Sequence, residues 1–213
     1  LPKRNWIQHG ASLREFLHTG TLGPVNLGLT MLEVSALLGP PQNWVTDASD
    51  CPVPLYWIFN RLEIAFQQKP PYAIDWFQIE HPDSLARPRH KLADLLDLSM
   101  DRINVSVPPS RMLRHFSDLS DIVVGAPKDV EDPTLEIYNR GVCLIYTVLD
   151  QDIETFPHKE TDPHQWLRHF DRHCFIDSIY SFREPALRSQ YPKSKFGNMS
   201  AAHYLAIAKD HGH

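Results

Sequence analysis

Cysteine is scarce in this chain. Of 213 residues only Cys51, Cys143 and Cys174 carry a thiol, an odd set with no CxxC spacing. A disulfide framework needs paired cysteines, so none is expected, and free thiols fit a reducing compartment. Glycine is also low, at 9 residues against 18 prolines, which suits many short connections of restricted shape more than flexible glycine loops. No apolar run approaches the roughly 18 residues that span a bilayer. The opening residues, Leu1-Pro2-Lys3-Arg4-Asn5-Trp6, lack the apolar stretch of a secretory signal. A soluble, cytoplasmic protein is the expectation. GxSxG, the P-loop pattern and GxGxxG are all missing, so the common hydrolase, nucleotide-triphosphate and dinucleotide signals give those activities no support.

What is present describes a globular chain: 42% hydrophobic, 10% aromatic and 22% charged residues, enough for one large domain or two lobes. Net charge is only -5, but it is unevenly placed. Residues 117–162 hold eleven acids against Lys128, Arg140 and Lys159, a local net of -8, whereas residues 183–213 carry +3. A nucleic-acid binder shows the opposite balance, so direct nucleic-acid binding is disfavoured and a basic protein partner fits.

An internal repeat organises the chain. Residues 25–38 align without a gap on residues 103–116; Ile58-Phe59-Asn60-Arg61-Leu62 aligns on Ile137-Tyr138-Asn139-Arg140-Gly141-Val142 with Gly141 inserted; and Ile74-Asp75-Trp76-Phe77 resembles Ile176-Asp177-Ser178-Ile179. Three matches in one order indicate a duplication. The expected fold is α+β: two tandem units of helix, helix and antiparallel meander, with the helices on one face of a curved sheet. Residues 1–10 form an arm, 11–82 the first unit and 83–182 a linker and second unit with an insertion at 150–172. A basic tail covers 183–213.

Local signals support the first unit. Ser12-Leu13-Arg14-Glu15 and Thr30-Met31-Leu32-Glu33 are capping boxes ahead of apolar stripes, and Gly20 and Gly39-Pro40-Pro41 are stops. Leu55 to Phe59, Leu62 to Gln67 and Ala73 to Glu80 alternate as strands, with Glu63 and Ala65 facing outward. In the second unit a helix is expected over residues 91–98, another from Pro108-Pro109-Ser110 to Phe116, and strands over 122–124, 135–139, 142–149 and 174–182. The tail offers one helix over 201–209, capped by Asn198 or Ser200.

Leu27-Gly28-Leu29-Thr30, Glu33-Val34 and Leu37-Leu38-Gly39-Pro40-Pro41, followed by an aromatic-rich strand pair, resemble the unit of small outer-membrane-assembly lipoproteins of the SmpA/BamE type. Two such units in tandem resemble the β-lactamase inhibitor protein architecture, and similar first units look like bacterial immunity-type proteins. The resemblance implies a binding fold that grips a protein partner, with no active site and no cofactor. An envelope assembly module is a further reading, from which the absent lipid-anchor cysteine subtracts.

Two chemistries compete with binding. His164, His169 and His173 have ligand-compatible spacing for a metal-dependent enzyme if their segment is helical. Their neighbours Trp166, Leu167 and Phe170 equally describe an amphipathic helix packing by its apolar stripe. Cys174 beside His173 is the one hint of a thiol nucleophile, and adjacent strand residues point apart. The strand aromatics favour binding. Tyr56 and Trp57 cannot both be buried by a one-sided layer, nor can Trp76 and Phe77, so if the helices cover only one face the other carries large aromatics, the alternative being that the tail or the insertion covers it. The residues assigned to partner binding are therefore Tyr56, Trp57 and Trp76, with Asp129, Glu131 and Asp132 supplying charge toward a basic toxin domain.

Overall fold

The computed structural model describes residues 7–46, 53–85, 87–125, 133–149, 156, 162–182 and 198–209. Strand β1 (His9–Ser12) leads into helix α1 (Leu13–Thr19). Ser12 Oγ accepts from the Glu15 amide at 3.0 Å, and Gly20, at φ 73°, closes the last turn by donating to the Phe16 carbonyl. Helix α2 (Met31–Leu38) carries a reciprocal capping box between Thr30 and Glu33 and stops at Gly39. Both helices lie where the caps and stripes place them.

Strands β2 (Asn43–Val45), β3 (Tyr56–Phe59), β4 (Leu62–Phe66) and β5 (Ile74–Glu80) follow as an antiparallel meander. Strands β6 (Arg89–Ala93) and β7 (Leu96–Ser99) then form a hairpin, to which β1 adds in parallel as a separate three-stranded sheet. After a one-turn helix α3 (Pro109–Met112) come β8 (Val123–Gly125), β9 (Thr134–Asn139) and β10 (Val142–Val148). Helix α4 (Pro163–His173) precedes the long strand β11 (Cys174–Phe182), and β12 (Asn198–Ser200) precedes helix α5 (Ala201–Lys209). Because β11 pairs with β5, the two meanders merge into one nine-stranded antiparallel sheet in the order β12-β8-β9-β10-β11-β5-β4-β3-β2.

This architecture corrects the expected fold. Among the described residues strand outweighs helix, 40% to 27%, and the fold is not a tandem of helix-helix-meander units on a curved sheet. The region expected to hold the second unit's first helix, residues 91–98, is the β6–β7 hairpin. Its alternation of buried Leu96 and Leu98 with half-exposed Asp97 and Ser99 has the period of a strand. The next expected helix is a single turn plus a short 3-10 segment, since Pro108 and Pro109 open it without a side-chain cap and Phe116 is already extended. The hairpin alignment also slips by one residue. Asn60-Arg61 is the two-residue turn between paired Phe59 and Leu62, whereas Arg140-Gly141 is the turn between paired Asn139 and Val142. Asn139 thus matches Phe59 in position, not Asn60.

One core unites the two sheets and the helices. The inner face of the large sheet contributes Leu62, Ile64, Phe66, Phe77, Ile79, Ile137, Leu144, Tyr146, Ile176 and Ile179. Against it pack α1, α2, α4, α5 and the small sheet, and Phe16 stacks on Phe77 at 5.6 Å. The sheet grips α1 through polar bonds as well: Asn139 Nδ2 donates to the Leu17 carbonyl and Ser181 Oγ to the Gly20 carbonyl, both at 2.8 Å. These satisfy carbonyls that a helix end leaves open. Gly23, at φ 59°, is required for close approach, because a Cβ there would sit 2.5 Å from the Gly10 carbonyl oxygen.

Candidate functional site

Alternation along each strand sends every second side chain to the other face of the nine-stranded sheet. Among the described residues no helix or strand packs there. The apolar side chains of that outer face, Tyr138, Cys143, Phe182, Trp76, Val123, Ile145 and Tyr180, form a cluster separate from the main core. Register fixes their neighbours. Glu63 of β4 lies opposite Gln78 of β5, which lies opposite Tyr180 of β11; Ala65 lies opposite Trp76, and Tyr56 of β3 lies opposite Ala65. Ala65 is small, so Tyr56 reaches across it and meets Trp76 at 5.9 Å between ring centroids. Trp76 meets Tyr180 at 5.6 Å on its other side. Three half-buried aromatic rings therefore form a continuous row over strands β3 to β11.

Beside this row sit two carboxylates and an amide. Gln78 Nε2 donates to Glu63 Oε2 at 2.7 Å and to Glu80 Oε1 at 3.2 Å, while its own Oε1 is buried and receives no hydrogen bond. Glu63 and Gln78 are buried, at 7% and 5% exposure, although both are polar. Neither Glu63 nor Glu80 forms an ion pair among the described residues. Burial pushes the Glu63 carboxyl above the usual carboxylate range; the Gln78 bond opposes this and the Glu80 carboxylate adds to it. The same negative field is felt by the phenols. Tyr180 is pushed up to about 12, by burial first and then with help from Asp177, Glu63 and Glu80. Tyr56 is raised by burial and by Glu63 and Glu80.

The residues assigned from sequence divide. Tyr56 and Trp76 meet on the outer face. Trp57 is on the inner face, edge-on to Phe66 at 4.9 Å and to Phe59 at 6.2 Å, and paired across the sheet edge with the exposed Trp44. Asp129, Glu131 and Asp132 lie outside the described residues. Glu63, Gln78, Glu80 and Tyr180 complete the site without having been assigned to it. Their signal was the period-2 run Trp76, Gln78, Glu80, but only the β4–β5–β11 register shows that Glu63 and Tyr180 flank that run.

The histidines and Cys174 of the competing chemistries are placed apart from this row. His169 and His173 stack ring on ring at 4.1 Å, and His173 Nδ1 bonds to the His169 carbonyl at 2.8 Å. His164 packs instead against His203 of α5 at 6.2 Å. Among the described residues no group of three or more His, Cys, Asp or Glu side chains is placed to hold a metal. Burial pushes both described thiols up, Cys143 with a contribution from Glu136 and Cys174 with one from Asp171, so neither is poised as a thiolate. A small polar hollow at the β9–β10 turn, lined by His18, Ser117, Asp118, Asp121, Asn139 and Arg140, is occupied by its own Arg140–Asp121 ion pair at 3.5 Å. The outer-face row remains the strongest arrangement for recognition. No family model, curated protein or solved structure matches this chain.

Proposed function

We propose that this chain is a non-enzymatic binding protein, an immunity-type inhibitor that neutralises a bacterial toxin by direct contact, and that it grips its partner with the outer face of the large sheet. The observation carrying this reading is the row Tyr56–Trp76–Tyr180 beside Glu63 and Glu80. Large, stiff aromatics supply contact area at low entropic cost, and carboxylates with no ion pair among the described residues favour a basic surface. The acid-rich stretch 117–162 has the same sign and would steer such a partner from a distance. Cytoplasmic action agrees with this role, and no helix among the described residues is long and apolar enough to cross a membrane.

The test is genetic and then physical. The product of the gene beside this one is expressed alone and together with this chain, growth is followed, and the two purified proteins are mixed. Growth arrest relieved by co-expression, with a stable complex in solution, is the expected result. A neighbouring product that is neither harmful to the cell nor bound by this chain would contradict the reading.

A further inference from the structure

We infer that the β2 end of the molecule is a self-association surface, where a second copy of this chain docks strand to strand and helix to helix about a two-fold axis at Trp44. The surface is separate from the outer-face row and does not rest on the toxin-binding role. Strand β2 ends the nine-stranded sheet and pairs with β3, and among the described residues no strand lies along its other edge. Trp44 is the middle of its three residues and is 57% exposed, directly opposite half-buried Trp57 of the inner face. The Trp44 amide donates to the adjoining Asn43 side chain at 2.9 Å, a local bond that a paired strand would replace. Helix α2, joined to β2 by residues 39–42, is apolar on both sides. Val34 and Leu38 enter the core, while Leu32 is 82% exposed and Ala36, one turn on along the same side, is exposed as well. A helix that is apolar all round is one that is covered all round. The exposed large hydrophobics among the described residues are Ile7, Leu32, Trp44 and Leu149, and two of them fall on this one stretch.

Charge and symmetry select a second copy as the occupant. Residues 31–46 contain one ionisable side chain, Glu33, whose carboxylate is held by the Thr30 amide at 2.7 Å and the Thr30 hydroxyl at 2.8 Å. A basic partner finds no free acid in this stretch, whereas two chains of net charge -5 repel each other least where the facing surfaces are neutral. Edge strands are ordinarily guarded by charged residues, and Asn43-Trp44-Val45 has none. The strand is also self-complementary. Antiparallel pairing about its centre sets Trp44 against Trp44 of the second copy and Asn43 against Val45. A two-fold axis between antiparallel neighbours runs perpendicular to the sheet. Both α2 helices then lie on one side of the joined sheets, and both outer-face rows lie on the other, open to their own partners.

The experiment is sedimentation velocity of the full chain over a series from about 1 to about 100 μM. At the upper end the parent should sediment as two chains. Leu32→Lys and Trp44→Lys, each at an exposed position and shown folded by circular dichroism, should weaken the dimer at least tenfold. Leu149→Lys places the same charge on an exposed apolar residue beyond β10 and should leave the dimer unchanged. Because the axis sets Trp44 against itself, a mixture of Trp44→Lys and Trp44→Glu should associate more tightly than either variant alone. A chain that stays single throughout the series, a dimer that ignores Leu32→Lys and Trp44→Lys or falls equally with Leu149→Lys, or a mixture no tighter than its components would each overturn the inference.

Discussion

Glu63 concentrates the tension between stability and recognition in one side chain. Its carboxyl is buried beside Glu80, so the native state holds its proton to higher pH than the unfolded chain does. Protons bound more tightly in the native state mean that stability falls as pH rises from the ordinary carboxylate range through the raised native value. Glu63→Gln removes that loss, and thermal unfolding should show a higher Tm at pH 7.5 with little or no gain at pH 4; equal gains at both would place the cause elsewhere. A stabilising change that weakens binding is the pattern expected of a residue kept for function. Asp171 is the opposite case, a carboxylate serving structure alone. It accepts from the Ser110 amide at 2.9 Å, the Ser110 hydroxyl at 2.7 Å and the Tyr204 hydroxyl at 2.7 Å, tying α4 to α3 and α5. Asp171→Ala strands the buried Tyr204 hydroxyl and two half-buried Ser110 donors and should cost about 2 kcal/mol in denaturant unfolding. Tyr204→Phe alone should cost only about 1 kcal/mol, and it should cost nothing further once Asp171 is gone.

Elements show how far sequence pattern reaches. Caps and stops located α1 and α2 because a capping box and a left-handed glycine are local events, decided by three or four consecutive residues. Alternation located β3, β4, β5, β9, β10 and β11 for the same reason. What pattern could not locate was anything set by pairing between distant strands: the join of β5 to β11, the small sheet that recruits β1, and so the identity of Gln78 as the centre of the site. The Asn-Arg pairs show the same limit. Asn60 stands in the turn at φ 45° with its side chain bonded to Gln42, whereas Asn139 is buried and holds the end of α1. Identical dipeptides one register apart do different work. Asn60→Gly should therefore retain most of the stability because glycine accepts the turn conformation. Asn139→Gly should lose about 2 kcal/mol or more by leaving the Leu17 carbonyl unpaired and adding chain freedom. Chemical denaturation of the two variants compares them directly, and equal losses would restore the two asparagines to equivalence.

At the scale of the whole molecule the sheet divides two tasks. Its inner face takes up the helices and the small sheet in one core, and its outer face carries the aromatic row beside buried Glu63 and half-buried Glu80, where the proposed binding role places the partner. Attraction between an acid-rich chain and a basic partner should make association faster at low salt, falling as ionic strength shortens the range of the field. Stopped-flow rates over a salt series measure this, and a flat profile would remove charge steering from the account. The central claim is that the outer face, not the inner edge, holds the partner, and two tryptophans on opposite faces decide it. With the cognate toxin bound, the affinities of Trp76→Ala and Trp57→Ala are measured side by side by calorimetry. The account predicts a loss of about thirtyfold or more for Trp76→Ala, equivalent to roughly 2 kcal/mol, and less than about threefold for a folded Trp57→Ala. Loss confined to Trp57→Ala, with Trp76→Ala binding as tightly as the parent chain, would contradict it.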